Sequence, residues 1–192
     1  MRLFLVVLFP FLFIGCKIKS FQSGYIDSSG NYPHILVSYG SILDQRDGKS
    51  YRTIRVGKQL WMADNLAYKP ENGKYISYKN NKKNIRKYGY LYDFETAKEV
   101  CLVGWHLPTI DEWQILNDEK RVRILNFNKL LLKCGGYQLF DEFRAIDSYG
   151  FYWSSSLDSN YDVWIQRVTK GGGSDLYGIE KRGNYSVRCI KD

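Results

Sequence analysis

The stretch that most constrains this chain is Cys101-Leu102-Val103-Gly104-Trp105-His106-Leu107-Pro108-Thr109-Ile110-Asp111-Glu112-Trp113. It holds a cysteine, two tryptophans and one of the two histidines. Thr109 followed three residues later by Glu112 is a capping box: the hydroxyl accepts the Glu112 N–H and the carboxylate reaches back to the Thr109 N–H. Pro108 and Trp113 occupy the two staple positions that fix the entry angle of the chain. Asp111 and Glu112 place negative charge in the first turn, where it suits the helix dipole. A helix is therefore expected from about Ile110 to about Asn117. Leu107 precedes a proline and is pushed away from α, so Gly104–Leu107 reads as a short extended entry. Trp105, Pro108, Thr109, Glu112 and Trp113 are expected to be scaffold, with Trp105 and Trp113 a core pair. His106 has no second histidine near it and reads as a tucked residue rather than a base or ligand.

The N-terminus constrains compartment. Met1-Arg2 precedes the apolar run Leu3–Ile14, which is too short to span a bilayer as a helix. It closes in Phe13-Ile14-Gly15-Cys16, which resembles a bacterial lipobox, with Phe13 where leucine is usual. The expectation is a signal peptide over residues 1–15, lipidation at Cys16, a tether over 16–41 and a folded domain over 42–192. The protein would then be an exported, membrane-anchored lipoprotein of the cell envelope. Net charge is +8, and loss of Arg2 leaves 8 − 1 = +7. The basic residues are scattered rather than striped, so nucleic acid is not the expected partner. Besides Cys16 there are Cys101, Cys134 and Cys189. Three thiols allow three single bridges, or none, and an exported chain can keep one. The expected pairing is Cys101–Cys189, which would tie the central stretch to the C-terminal end.

Aromatic residues make up 16% of the chain, which favours strands and loops over a helical bundle. A strand is expected near Ile35–Tyr39, and a hairpin at Tyr51–Val56 and Gln59–Met62 about a Gly57-Lys58 turn. Residues 69–90, with Lys79, Lys82, Lys83, Arg86 and Lys87, read as a solvated polar loop. Asp93 can cap a short helix through Val100. Residues 118–133 are ambiguous. Gly150–Ser156, Val163–Thr169 and Tyr185–Ile190 read as strands, with Gly171-Gly172-Gly173 as a bend.

Four ordered segments resemble one family. They are Asp47–Tyr51 with Gln59-Leu60-Trp61-Met62-Ala63-Asp64-Asn65-Leu66; Tyr88-Gly89-Tyr90-Leu91-Tyr92 leading to Cys101 and Gly104–Thr109; Gly150-Phe151-Tyr152-Trp153-Ser154-Ser155; and Ser186–Asp192. Together they look like the Fibrobacter succinogenes major paralogous domain over residues 42–192. More remotely, Leu107-Pro108-Thr109 with Glu112-Trp113 and the terminal Val187-Arg188-Cys189 resemble the formylglycine-generating-enzyme branch of the C-type lectin fold. That resemblance implies an α+β, C-type-lectin-like fold: two helices, a small twisted antiparallel sheet and long loops. It does not carry chemistry over. Cys189 has no second cysteine close by, the chain lacks a histidine cluster, and the calcium-lectin loop motifs are missing.

The sequence has no Ser/His/Asp order, zinc spacing, P-loop or dinucleotide fingerprint. No catalytic residue, metal or cofactor is expected. Asp111 and Glu112 are a carboxylate pair in sequence, but Glu112 is explained by the cap. The better surface lies between Trp153 and Asn184, where aromatic and small polar residues mix in a way that suits recognition. The expected ligand-binding residues are Ser156, Asp158, Asn160, Tyr161, Trp164, Ser174 and Tyr177, with Trp153 assigned to the core. The function expected is a non-catalytic, lectin-like binding module for a surface protein or glycan. The alternatives are a structural or adhesion component of the envelope and a carbohydrate-active enzyme.

Overall fold

A computed structural model of the chain describes residues 19–21, 37–118 and 132–192, the first of these as backbone only. The expected signal peptide, Cys16, most of the tether and most of the ambiguous 118–133 segment lie outside the described residues. In chain order the elements are β1 (Lys19–Phe21), β2 (Val37–Leu43), β3 (Ser50–Val56), β4 (Gln59–Met62), β5 (Tyr75–Ile76), α1 (Lys82–Tyr88), β6 (Leu91–Tyr92), α2 (Phe94–Glu99), β7 (Trp105–His106) and α3 (Ile110–Asn117). There follow β8 (Gly135–Leu139), β9 (Glu142–Ile146), β10 (Tyr149–Leu157), β11 (Asp162–Thr169), β12 (Ser174–Glu180), β13 (Gly183–Ser186) and β14 (Ile190–Lys191). One 3₁₀ turn, Tyr78–Asn80, precedes α1.

The strands form a six-stranded sheet, β1-β2-β3-β4-β14-β7, and an eight-stranded sheet, β12-β11-β10-β8-β13-β6-β5 with β9 on β8. This overturns the α+β expectation of two helices beside a small sheet: the chain is mostly β, with two sheets in a sandwich-like arrangement. The physical reason is that several short segments without clear alternation pair as strands. Gly135–Leu139 and Glu142–Ile146 form a hairpin, and Ser174–Glu180 pairs with β11 along its whole length. The supposed strand Tyr185–Ile190 is divided, because β13 pairs in one sheet and β14 in the other. The 69–90 loop contains α1, whose first turn is capped by Asn81 accepting the Lys83 N–H at 3.0 Å.

Other local expectations stand. β3 and β4 pair as a hairpin. Asp93 caps α2 by accepting the Thr96 N–H at 3.0 Å. Thr109 and Glu112 form the capping box of α3.

Two apolar clusters fill the interior. One gathers Ile54, Val56 and Trp61 from the six-stranded sheet, Tyr152 and Val168 from the other, and Trp113 and Leu116 from α3. The other gathers Tyr51, Tyr92, Phe94, Trp105, Phe151, Trp153, Val163, Ile165, Tyr185 and Cys189. Trp105 and Trp113 are both buried but fall in different clusters. Trp113 instead packs on Trp61, with ring centroids 4.8 Å apart. The bridge Cys101–Cys189 joins the chain after α2 to the segment before β14. Cys134 is free and half-buried.

Candidate functional site

The central stretch makes a polar cluster at its surface. His106 Nδ1 lies 2.6 Å from Asp192 Oδ1, and Nε2 lies 3.0 and 3.1 Å from the two Glu112 oxygens. Glu112 Oε2 also accepts the Thr109 N–H at 2.8 Å and the Thr109 hydroxyl at 3.0 Å. The two carboxylates thus hold the ring from both sides. Burial pushes the His106 pKa down, but the hydrogen bonds and charges of Asp192 and Glu112 outweigh it and raise it above the ordinary 6.5. With both ring nitrogens engaged by carboxylates, His106 has no free nitrogen to act as a base.

This cluster works as a latch between the C-terminus and the start of α3, and it carries a pH dependence. A raised folded pKa gives stability that is fully present below the unfolded value and is lost as pH rises through the folded one. A histidine NMR titration is expected to place His106 above 6.5. The fall in denaturant midpoint between about pH 5.5 and about pH 9 should be smaller in His106→Gln than in the parent. A measured pKa at or below the ordinary value would sink this assignment.

The residues expected to bind ligand do not converge. Ser156 Oγ accepts the Ile110 N–H at 2.9 Å and so belongs to the start of α3. Asp158, Asn160 and Tyr161 form the tip between β10 and β11, where Ser159 Oγ accepts the N–H groups of Tyr161 and Asp162 at 3.2 and 3.0 Å. Tyr161 is 82% exposed. Asp158 lies over Gly178, where an added Cβ would meet its carboxylate at 2.1 Å. Ser174 pairs with Val168 and Glu180 with Asp162, so Ser174 is at the far end of β12 from the tip; six residues of strand span about 20 Å. Val163 and Ile165 enter the larger cluster. By alternation Trp164 faces the opposite side of the sheet from Tyr177, which sits across from Ile165.

Around Tyr177 a different set comes together. Phe151 pairs with Arg167, and Arg167 pairs with Asp175, forming one row across β10, β11 and β12. Arg167 Nε donates to Asp175 Oδ1 at 2.8 Å, and its NH2 group donates to Oδ2. The guanidinium carbon lies 5.3 Å from the Tyr177 ring centre and 5.8 Å from that of Tyr149. Tyr137 packs edge-on against Phe151 at 4.7 Å. Tyr149 is 39% exposed and Tyr177 half-buried. The Tyr177 phenol is pushed up by burial, with Arg167 opposing. The result is a face of aromatic planes around one Arg–Asp pair, on three hydrogen-bonded strands. Among the expected residues only Tyr177 belongs to it. Tyr149, Arg167 and Asp175 were legible only as alternating positions on neighbouring strands, and the register that aligns them was not.

Residues 54–129 match the family model of the Fibrobacter succinogenes major domain. The match takes in the Gln59–Leu66 part of the first segment that resembles the family and the whole of the second, Tyr88–Thr109; it leaves out Asp47–Tyr51 and ends before the β10 and C-terminal segments. No curated protein and no solved structure matches the chain.

Proposed function

We propose, for a chain that carries a Fibrobacter succinogenes major domain, the role of a non-catalytic recognition module on an exported, lipid-anchored envelope protein. Its ligand is a saccharide, bound on the Tyr149–Arg167–Tyr177 face. The observation that carries this is the pairing of one exposed ring, Tyr149, and one half-buried ring, Tyr177, with a fixed Arg–Asp pair on three hydrogen-bonded strands. Aromatic planes stack on the apolar faces of sugar rings, and charged groups held in place satisfy hydroxyls at their edges. The formed Cys101–Cys189 bridge supports an oxidising compartment, hence export. Lipidation at Cys16 rests on the sequence motif and is tested by lipid-precursor labelling of the parent and Cys16→Ala.

A glycan array probed with the purified chain tests the binding role. Tyr177→Ala and Tyr149→Ala are each expected to weaken the strongest signal by about tenfold, the equivalent of about 1.4 kcal/mol. Tyr161→Ala, at the separate tip, should leave it within about twofold. A blank array, or binding indifferent to both face variants, would defeat the saccharide assignment. A surface protein captured through the same two tyrosines would redirect the ligand to protein.

A further inference from the structure

A separate cleft shares no lining residue with the tyrosine face. It is a cleft of about 580 Å³ bounded by Lys49, Tyr51, Asp64, Asn65, Lys82, Arg86, Tyr90 and Lys133. The chain reaches it from several elements. Tyr51 is on β3, Asp64 and Asn65 follow β4, Lys82 and Arg86 lie one turn apart on α1, and Lys133 precedes β8. Gly89 shapes the α1 exit: its φ is +73°, and an added Cβ would meet the Leu66 carbonyl at 2.4 Å.

The charges do not balance. Among the described residues, Asp64 is the one carboxylate on the wall. Arg52 engages it three times, with its backbone N–H and its Nε each donating to Oδ2 at 3.0 Å and NH2 to Oδ1 at 2.6 Å, and Lys133 Nζ donates to Oδ1 at 3.1 Å. Behind Asn65, the fully buried Arg188 donates to Asn65 Oδ1 and at 3.4 Å to the Met62 carbonyl, while its Nε has no partner among the described residues. Asp64 therefore serves a field containing Arg52, Lys133 and Arg188. Lys49 is offset by Asp47 at 2.7 Å. Lys82 and Arg86 have no carboxylate partner among the described residues. Burial holds the Lys133 amine below its usual value, and Arg188 and Arg52 add to that effect against the pull of Asp64. A cation so placed is under-compensated, and an anion in the cleft would relieve it.

We propose that this cleft binds the oxyanion group of a small anionic ligand, a carboxylate, sulfate or phosphate carried on a sugar-sized body, between Arg86, Lys82 and Lys133. Arg86 supplies the planar fork that matches such groups, the lysines supply point charge, and Tyr90, half-buried on the wall, lies beside the body of the ligand. The cleft is of a size with ordinary small-molecule sites. The site is separate from the Tyr149–Tyr177 face, so either assignment can fail alone.

Isothermal titration at low salt with galacturonic acid, glucose 6-sulfate and glucose 6-phosphate, against glucose, tests it on the full chain. At least one anionic sugar is expected to bind while glucose does not, and the one that binds best names the source of the oxyanion. Arg86→Gln, on the exposed helix, and Lys133→Gln should each weaken that binding by about tenfold or more, and rising salt should weaken it further. Tyr177→Ala should leave it unchanged. A melting curve on each variant separates lost binding from lost fold. Failure of all three anions, equal binding of glucose, or binding indifferent to Arg86→Gln in a folded variant would overturn the proposal.

Discussion

Removing the Cys101–Cys189 bridge is expected to lower stability by about 4 kcal/mol and the melting temperature by roughly 10 °C. The bridge spans 88 residues of sequence, and the chain-entropy treatment assigns a loop of that length about 4–5 kcal/mol as an upper figure. The native contacts at its ends argue that little is lost on the folded side. Cys189 is fully buried, and its carbonyl accepts the Met62 N–H at 3.0 Å, a contact that replacing sulfur leaves in place. Cys101 follows α2 and is half-buried, with its carbonyl accepting from Arg46 at 3.2 Å. The measurement is calorimetry of Cys101→Ser/Cys189→Ser beside the parent, with non-reducing peptide mapping to show Cys101 joined to Cys189 and Cys134 free. A melting shift of only a degree or two in the double variant would show that the folded chain, not the covalent loop closure, holds these segments together.

That bridge also marks how far the sequence could be read. Local chemistry is legible because it is decided within a turn or two. The capping box at Thr109 and Glu112, the Asp93 cap and the Gly57-Lys58 hairpin each depend on a few adjacent residues, and each is present. Long-range partition is less legible. Tyr185 to Ile190 contains Val187 and Cys189 on one buried face, as alternation requires, yet the segment crosses from one sheet to the other. Nothing in its composition marks the crossing. The same gap explains the candidate surface. Expecting Ser156, Trp164, Ser174 and Tyr177 to share a site required knowing which face each strand presents. The β11–β12 register sends Trp164 and Tyr177 to opposite faces, while the β10–β11 and β11–β12 registers bring Phe151, Arg167 and Asp175 into one row. Of the basic residues of 79–87, which read as solvated, Lys82 and Arg86 line a cleft with Asp64 and Lys133 that only the fold assembles, because these neighbours lie far off in sequence.

Trp153→Ala is expected to cost about 3–5 kcal/mol, a large share of the stability of an ordinary domain. Trp153 is fully buried. Its ring stands edge-on to Tyr185 at 4.5 Å and packs on Phe94 at 5.3 Å. Its indole N–H donates to the Tyr92 carbonyl at 2.7 Å. Truncation therefore opens a large cavity and strips a buried acceptor at once, and the two effects act in the same direction. Trp153→Phe separates them: it keeps much of the apolar volume and loses the hydrogen bond, so it should cost less than the alanine variant but still about 1–3 kcal/mol. Tyr161→Ala, at an 82% exposed position on the adjoining tip, should change stability by no more than about 0.5 kcal/mol. Urea unfolding of the three variants orders these costs. Tyr185 also packs at 5.9 Å on Phe151 and at 5.8 Å on Tyr137, beneath the recognition face. Trp153→Phe, if it stays folded, should therefore retain saccharide binding, because the rings that present the face keep their support. A folded Trp153→Phe that lost binding while Tyr177→Ala kept it would place the binding surface elsewhere and make Trp153 part of it.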